Sequence, residues 1–179
     1  MKKLFMILPL ALILCFMVGC QDKAAMAELE EFKAQAAVEE QNMELTKQMF
    51  EAWGKGDTEA FKGFLAPDYV YYYPSGNPKS MSMEEVTGLA KAFWQGFPDM
   101  SFSMEDIFSA GDKVIFRFTQ KGTQTGDFMG IPATGKSFVA SGYLISRFVD
   151  GKVTEQWEEF DMMGMMTQLG MELKPKEEK

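Results

Sequence analysis

The stretch that decides the fold of this 179-residue chain is Gly122-Thr-Gln-Thr-Gly-Asp-Phe-Met-Gly-Ile-Pro-Ala-Thr-Gly135, which runs on to Phe148-Val-Asp-Gly-Lys-Val-Thr-Glu-Gln-Trp-Glu-Glu-Phe-Asp161. Within it, Asp150-Gly151 predicts a tight hairpin turn, because these residues accept the positive φ angles that a two-residue loop requires. The segments on either side of the turn, Ser137 to Val149 and Lys152 to Asp161, are therefore predicted to be paired antiparallel strands.

Two more strands are predicted before this hairpin, at Met100 to Phe108 and Val114 to Lys121. Helices precede them: Ser82 and Glu85 form a capping box, and the residues behind it follow a helical period up to Pro98. Helices first and antiparallel strands after them define an α+β layout. The other predicted elements are a helix ended by Gly54-Lys-Gly56, a short helix capped by Asp57 and an aromatic strand from Tyr69 to Tyr73.

These segments resemble the SnoaL-like polyketide cyclases and their ester-cyclase relatives, which belong to the nuclear transport factor 2-like superfamily. The resemblance runs from about Asn42 to about Gly170. It implies a cone-shaped α+β fold with N-terminal helices packed on a curved, mostly antiparallel sheet. Besides Gly122 to Gly135, it is carried by Phe50-Glu-Ala-Trp-Gly-Lys-Gly-Asp57, Phe64-Leu-Ala-Pro-Asp-Tyr69, Phe93-Trp-Gln-Gly-Phe-Pro-Asp99 and Gln168-Leu-Gly170.

The resemblance also implies where a catalytic acid/base lies. The family cyclases carry an aspartate on the last strand, at a fixed distance after the Asp-Gly turn, and that position falls on Glu158 here. They place a histidine across from it on the preceding strand, at the position of Leu144 in this chain. Because the chain contains no histidine, annulation as the family performs it is not expected.

Strand alternation places Gln156, Glu158 and Phe160 on one face of the last strand, which we expect to line the cone. A carboxylate in such an apolar pocket has a raised pKa, which suits proton abstraction next to a carbonyl. The alternative is that Glu158 lies at the rim and only solvates a sheet edge. Tyr71 and Tyr73 share one strand face and are the phenols predicted to assist Glu158. The predicted ligand contacts are Gln124, Leu144, Gln156 and Phe160.

Two polar residues leave alternatives open. Gln124 stands where many relatives have histidine, and it either donates to a ligand carbonyl at the pocket mouth or stabilises its loop through backbone hydrogen bonds. Arg117 interrupts an apolar strand, and a structural ion pair with a nearby carboxylate is a more ordinary explanation than an oxyanion clamp.

The N-terminus predicts secretion and lipidation. Lys2 and Lys3 precede an apolar run that ends in Met17-Val-Gly-Cys20, which resembles a bacterial lipobox with Cys20 as the lipidated first residue. Gln21, rather than aspartate, follows the cysteine, which in a two-membrane cell points to the outer membrane. The predicted domains are a signal peptide (residues 1–19), a helical tether (20–40), a SnoaL-like domain (41–171) and a solvated tail (172–179).

Composition excludes several classes of function. Removing Lys2 and Lys3 with the signal leaves 16 basic residues against 26 acidic ones, a net charge of −10, so nucleic acid is not an expected partner. With Cys15 lost and Cys20 lipidated, thiol catalysis is excluded, and no cofactor or metal is predicted. A cluster of methionines follows the last strand: Met162, Met163, Met165, Met166 and Met171. Such a cluster could bind copper(I), but methionines more often fill irregular apolar gaps.

Three functions remain. The first is an envelope lipoprotein that binds a small apolar ligand in its cone without turning it over. The second is a cyclase or isomerase that uses Glu158 as general acid/base. The third and weakest is an adaptor that forms a homodimer through the outer face of its sheet. A phenol within hydrogen-bond reach of Glu158 in a closed apolar cavity favours the enzyme, whereas a cavity filled by Met and Phe side chains favours the adaptor.

Overall fold

The architecture is that of a computed structural model, which describes the backbone of residues 4–77 and 79–172 and, within these ranges, the side chains from residue 23 onward. The chain divides after Val38 into two units, residues 1–38 and 39–179. The predicted signal peptide, the lipidation site at Cys20 and the tail from residue 173 lie outside the described side chains, so they stay predictions.

The first unit is helical. Helix α1 spans Leu4–Gly54, and every side chain from Lys23 to Val38 is exposed. Four large apolar residues share this exposure, Met26 (65 %), Leu29 (51 %), Phe32 (61 %) and Val38 (51 %), so the described part of the unit contains no core of its own. Among the residues that the structure describes, no helix has an apolar stretch long enough to cross a membrane.

The second unit begins at Glu39 and contains the sheet. Its strands lie in the order β1-β5-β4-β3-β2. β1 runs parallel to β5, and the other neighbouring pairs are antiparallel. This arrangement confirms the predicted α+β fold. After α1, the elements are α2 (Thr58–Lys62), β1 (Leu65–Tyr72), α3 (Met83–Gly96), β2 (Ser101–Ala110), β3 (Lys113–Thr123), β4 (Ser137–Val149), β5 (Lys152–Phe160) and α4 (Met162–Gln168).

Local sequence signals set several boundaries of these elements. Asp150 and Gly151 have φ angles of 49° and 72° and make the predicted hairpin turn between β4 and β5. Ser82 caps α3 in a complete capping box with Glu85. β1 differs from the prediction because it begins at Leu65 and includes Pro67. A proline is tolerated there because β1 is an edge strand. α4 is a further element that the sequence analysis does not predict.

The Gly122–Gly135 stretch folds against the end of α3. The backbone amides of Thr125 and Gly126 donate to the carbonyl of Gly96 at 3.0 and 3.1 Å. A Cβ atom on Gly126 would lie 2.2 Å from the Gln95 carbonyl oxygen, so only glycine allows this close approach. Phe128 is almost fully buried next to Phe93 and Phe97, with ring centroids 4.6 and 5.1 Å apart. The stretch thereby closes one of the two core clusters.

Gly142, on the central strand β4, allows close packing between two neighbouring strands. It lies between Phe118 on β3 and Phe160 on β5, whose rings stack with centroids 6.0 Å apart. A Cβ atom at this position would lie 2.6 Å from the Glu159 carbonyl oxygen and 2.7 Å from the Phe118 ring. The missing side chain is therefore what lets the two rings meet across the central strand.

We expect Gly142→Ala to lower the free energy of unfolding by about 2–3 kcal/mol, because the added methyl group overpacks backbone and ring atoms. Thermal or urea unfolding measures the change. The matched control is Gly88→Ala in α3, where a Cβ atom meets nothing within 4 Å. That substitution should stabilise the helix slightly. A Gly142→Ala protein as stable as the wild type would contradict the packing described above.

The domain should fold without the first unit. Asn42 is the first described side chain that is buried, and the Gly111 amide donates to Glu39 Oε1 at 2.8 Å. The second unit, which begins at Glu39, therefore includes these contacts, and the predicted domain start at residue 41 stays a prediction. We expect a chain that begins at Glu39 to unfold cooperatively in a thermal melt followed by circular dichroism, with a midpoint close to that of the longer chain. A broad, non-cooperative melt would contradict this.

Candidate active site

A cavity lies between the inner face of the sheet and the helices of the second unit. Ten of its eighteen lining residues are aromatic. Among the described residues that line it, Glu158 has the only carboxylate, and none is a Lys or Arg. About 70 Å³ of the cavity is open to the centre of a water-sized sphere. The lining includes Phe50, Trp53, Phe61, Tyr71, Tyr73, Phe93, Phe102, Phe116, Phe118, Gln120, Leu144, Gln156, Phe160 and Met162.

Glu158 lies on β5 with its carboxylate in this cavity. The residue is half-buried, and it is one of the residues that line the cavity. Tyr71 donates a hydrogen bond from its hydroxyl to Glu158 Oε2 at 2.8 Å. Burial raises the pKa of Glu158 to about 7, against the opposing effect of the Tyr71 hydrogen bond and with a smaller raising effect of Glu159. Near neutral pH this carboxyl can therefore both accept and release a proton.

The parallel pairing of β1 with β5 brings the phenols to the carboxylate. The register aligns Tyr71 with Gln156, and the inward side chains of both strands recur every second residue. As a result Tyr69 donates to Gln156 Oε1 at 2.6 Å, while Tyr71 donates to Glu158. The next inward position on β5 is Phe160, which offers no acceptor to the next phenol along the chain.

That next phenol is Tyr73. Its ring stacks on Tyr71 with centroids 6.2 Å apart and lines the cavity. Within the described part of the chain, its hydroxyl makes no hydrogen bond. Burial raises the pKa of the Tyr73 phenol, with smaller effects of Glu158 and Glu159. The group is therefore a protonated donor at neutral pH, free to bind a ligand oxygen.

Leu144 pairs with Glu158 across β4 and β5 and lines the same cavity. The resemblance implies histidine at this position, so the chain presents an apolar side chain where an imidazole would stand. The partner of the carboxylate is instead Tyr71, which approaches from β1 on the opposite side of β5.

Gln124 requires a correction. It is fully buried and is not among the cavity-lining residues, so the expected ligand contact is wrong for this residue. Its amide nitrogen donates to the carbonyls of Ile131 and Pro132 at 3.1 and 3.2 Å, and its oxygen accepts from Thr134 at 2.9 Å. Gln124 therefore stabilises its loop, the alternative role considered from the sequence.

Gln156 does line the cavity, but its polar atoms are engaged. Besides accepting from Tyr69, its amide nitrogen donates to Ser146 Oγ at 2.8 Å. Sequence reasoning missed Tyr69 and Ser146. Tyr69 was detectable, because it lies two residues before Tyr71 on the same strand face. Ser146 had no comparable signal.

Arg117 and the methionine cluster have contacts typical of structural roles. Arg117 pairs with Glu105 and Asp106 at 3.0 and 2.8 Å and does not line the cavity. Met165 is fully buried, whereas Met163 is 61 % exposed and Met162 faces the cavity, which fits gap filling. The described residues contain no group of three or more His, Cys, Asp or Glu able to hold a metal.

This fold, with a carboxylate in an aromatic cavity, defines a class of small α+β domains suited to proton transfer. Residues 43–169 match the sequence model of the SnoaL-like polyketide cyclases, and the chain belongs to that family. It is 28 % identical over 135 residues to the aklanonic acid methyl ester cyclase DauD of Streptomyces sp. (strain C5), covering 72 % of this chain and 81 % of DauD.

A second relative is the nogalonic acid methyl ester cyclase of Streptomyces nogalater, 29 % identical over 130 residues, covering 68 % of this chain and 92 % of the relative. Among solved structures, IdmH from Streptomyces antibioticus superposes with a TM-score of 0.63 at 31 % identity, covering 73 % of this chain and 99 % of IdmH. TsrD from Streptomyces laurentii gives 0.64 at 28 % identity, with coverages of 73 % and 95 %.

We expect Tyr71→Phe to raise the pKa of Glu158 above its wild-type value of about 7, because the lost hydrogen bond favours the ionised carboxylate. Carbon-13 NMR of glutamate-labelled protein measures the titration. Tyr72→Phe is the control, since Tyr72 stacks on Trp157 and does not line the cavity. An unchanged or lowered pKa in Tyr71→Phe would show that the bond does not stabilise the charge.

Proposed function

We propose that this SnoaL-like domain is an acid–base catalyst that moves a proton next to the carbonyl group of a small, uncharged, apolar substrate. The observation that carries the proposal is the Glu158 carboxylate in an aromatic cavity, with the Tyr71 hydroxyl 2.8 Å away. Family membership supports the reaction class, since its named relatives are ester cyclases.

In the proposed mechanism, ionised Glu158 takes a proton from the carbon next to the substrate carbonyl. The electron pair of that C–H bond moves into an enolate, whose oxygen accepts a hydrogen bond from the Tyr73 hydroxyl. Tyr71 holds the carboxylate in place and stabilises its charged form before the transfer. In a cyclisation the enolate carbon attacks a second carbonyl, and the alkoxide that forms takes the proton back from Glu158. In an isomerisation Glu158 returns the proton to a different carbon of the conjugated enolate.

The cavity limits the substrate. The cavity has about 70 Å³ of open volume, and one water needs about 10–15 Å³ of such volume. It therefore holds about five to seven waters, or a ligand with about as many non-hydrogen atoms. A substrate carboxylate is disfavoured, because the lining offers no cation and already contains Glu158.

Hydrogen–deuterium exchange tests the proposal without knowledge of the natural substrate. A panel of small β-keto esters and 1,3-diketones is incubated in D₂O with the protein, and loss of the proton between the carbonyls is followed by proton NMR. We expect exchange of at least one compound to exceed the rate in buffer alone. If compounds bind but none exchanges faster than in buffer, the domain is not a proton-transfer catalyst of this kind.

Binding without turnover is the second candidate function. Leu144 favours it, because the cavity lacks the imidazole that the family cyclases place at this position. The same exchange assay separates the two functions. An adaptor role has less support, since the cavity is open rather than filled, although Phe108, Val139 and Tyr143 are exposed large apolar residues of the sheet.

We also propose that the domain is held in the cell envelope, at the periplasmic face of the outer membrane in a two-membrane cell, by a lipid on Cys20. The Met17-Val-Gly-Cys20 sequence and the apolar run before it support this. In the native host, Cys20→Ser should prevent lipidation and produce a released or unprocessed form. If the variant still pellets with membranes and neither form is found, the lipid is not the anchor.

A further inference from the structure

Glu158 has a carboxylate inside the cavity, and within the described part of the chain no cation pairs with it. Buried charges in proteins are normally paired, and Arg117, the cation that interrupts β3, pairs elsewhere with Glu105 and Asp106. α1, α3, β3 and β4 contribute only apolar, aromatic or amide side chains to the cavity. The titratable groups around Glu158 are the phenols of Tyr69, Tyr71 and Tyr73 and the carboxylate of Glu159.

The walls of the cavity are mostly aromatic. Ten aromatic residues line the cavity that contains the carboxylate, including Phe50, Trp53 and Phe118. Aromatic faces carry partial negative charge and attract organic cations, most strongly where water is excluded. A cavity that combines aromatic walls with a single carboxylate is suited to bind a compact ammonium ion.

We propose that this cavity binds a small organic ammonium ion, with the positive nitrogen next to Glu158 and its alkyl groups against the aromatic rings. The inference rests on the cavity described for the proposed function but does not require turnover. A quaternary ammonium fits best, because its nitrogen carries no N–H group and needs no hydrogen-bond acceptor, so the single carboxylate serves as its counter-ion. The net charge of −8 also raises the local concentration of cations around the protein.

The binding should depend on pH. A cation pairs only with ionised Glu158, whose carboxyl has a pKa of about 7 in the free protein. Below that value, binding must first remove a proton, so the affinity falls by about tenfold for each further pH unit. Above it, the affinity levels off. The neighbouring phenols stay protonated throughout this range, because burial raises the pKa of Tyr71 and Tyr73.

The test compares choline with 3,3-dimethyl-1-butanol, its uncharged isostere, by isothermal titration calorimetry on the full-length protein. At pH 8 we expect choline to bind at least about tenfold more tightly than the isostere. At pH 5.5 this preference should be largely lost, and Glu158→Gln should lose it at both pH values. Glu84→Gln is the matched control, since Glu84 is an exposed residue of α3 that does not line the cavity.

The proposal is overturned if choline does not bind, if it binds no better than the isostere at pH 8, or if Glu158→Gln keeps the preference. Circular dichroism confirms that each variant is folded. The deuterium-exchange assay is independent of this one. Choline binding without exchange leaves the inference standing and removes the proposed catalysis, and exchange without choline binding does the reverse.

Discussion

Glu158→Gln is expected to lower the rate of substrate proton exchange by about 10²- to 10⁴-fold, the usual contribution of a positioned general base. The amide has nearly the same shape, and its oxygen can still accept the hydrogen bond from Tyr71. The substitution therefore removes the titrating group and leaves the cavity intact. The loss should lie in kcat rather than in KM, because an uncharged substrate gains little from the charge of the carboxylate in its ground state.

The measurement is the initial rate of exchange for any compound that the wild-type protein accelerates. Glu84→Gln, at the exposed start of α3, should keep the wild-type rate. Retention of at least half of the activity by Glu158→Gln would mean that another group removes the proton, and the assignment of the base would be withdrawn.

Glu158 should also make the stability of the wild-type domain depend on pH. Its pKa is about 7 in the folded protein against 4.5 for the free side chain, so the native state binds more protons than the unfolded state between these values. Stability then falls as the pH rises through this window. The difference of about 2.5 units corresponds to about 3 kcal/mol at pH 8.

Glu158→Gln lacks this titration, so at pH 8 it should be more stable than the wild type by up to about 3 kcal/mol. At pH 4 the glutamate of the wild type is largely protonated, so it is neutral like the glutamine of the variant. The difference in stability between the two proteins should therefore vanish. Urea unfolding at pH 4, 6 and 8 measures the trend, again with Glu84→Gln as control. A Glu158→Gln protein that is less stable than wild type at pH 8 would show that the native structure holds the charge with a partner that was overlooked.

The resemblance to the family assigned the acid/base position to Glu158, and alternation along the last strand predicted that its side chain faces the cone. The Asp150-Gly151 turn sets the pairing of Val149 with Lys152, but the register of β4 against β5 then shifts by one residue between Arg147 and Phe148. Counting from the turn alone would pair Glu158 with Tyr143, whereas the shifted register pairs it with Leu144. The sequence analysis did not predict this bulge. The capping box of α3 and the alternation of Tyr71 with Tyr73 are signals that a local reading does detect.

Contacts between distant parts of the chain could not be predicted in this way. The hydrogen bond from Tyr71 to Glu158 joins residues 87 positions apart and depends on the parallel pairing of β1 with β5, for which the sequence carries no turn signal. For Gln124 the sequence analysis predicted a contact that the structure does not contain. Its position in the resemblance suggested a ligand contact, but the loop curls back so that its amide meets the carbonyls of Ile131 and Pro132.

The absence of histidine gives the phenols a larger part in this account. Where the family resemblance implies an imidazole, this chain has Leu144, and the groups that remain around the carboxylate are Tyr71 and Tyr73. One phenol holds Glu158, and the other has a free hydroxyl. This division of roles depends on Phe160, which fills the position where a third acceptor would stand.

The central claim is that Glu158 lies in an apolar cavity that shifts its ionisation toward neutral pH. The most direct test is a carbon-13 NMR titration of the folded protein labelled at the glutamate carboxyl, with the Glu158 signal assigned by its absence in Glu158→Gln. We expect a midpoint at about pH 7 for this signal. A midpoint near 4.5, the value of a solvated glutamate, would contradict it.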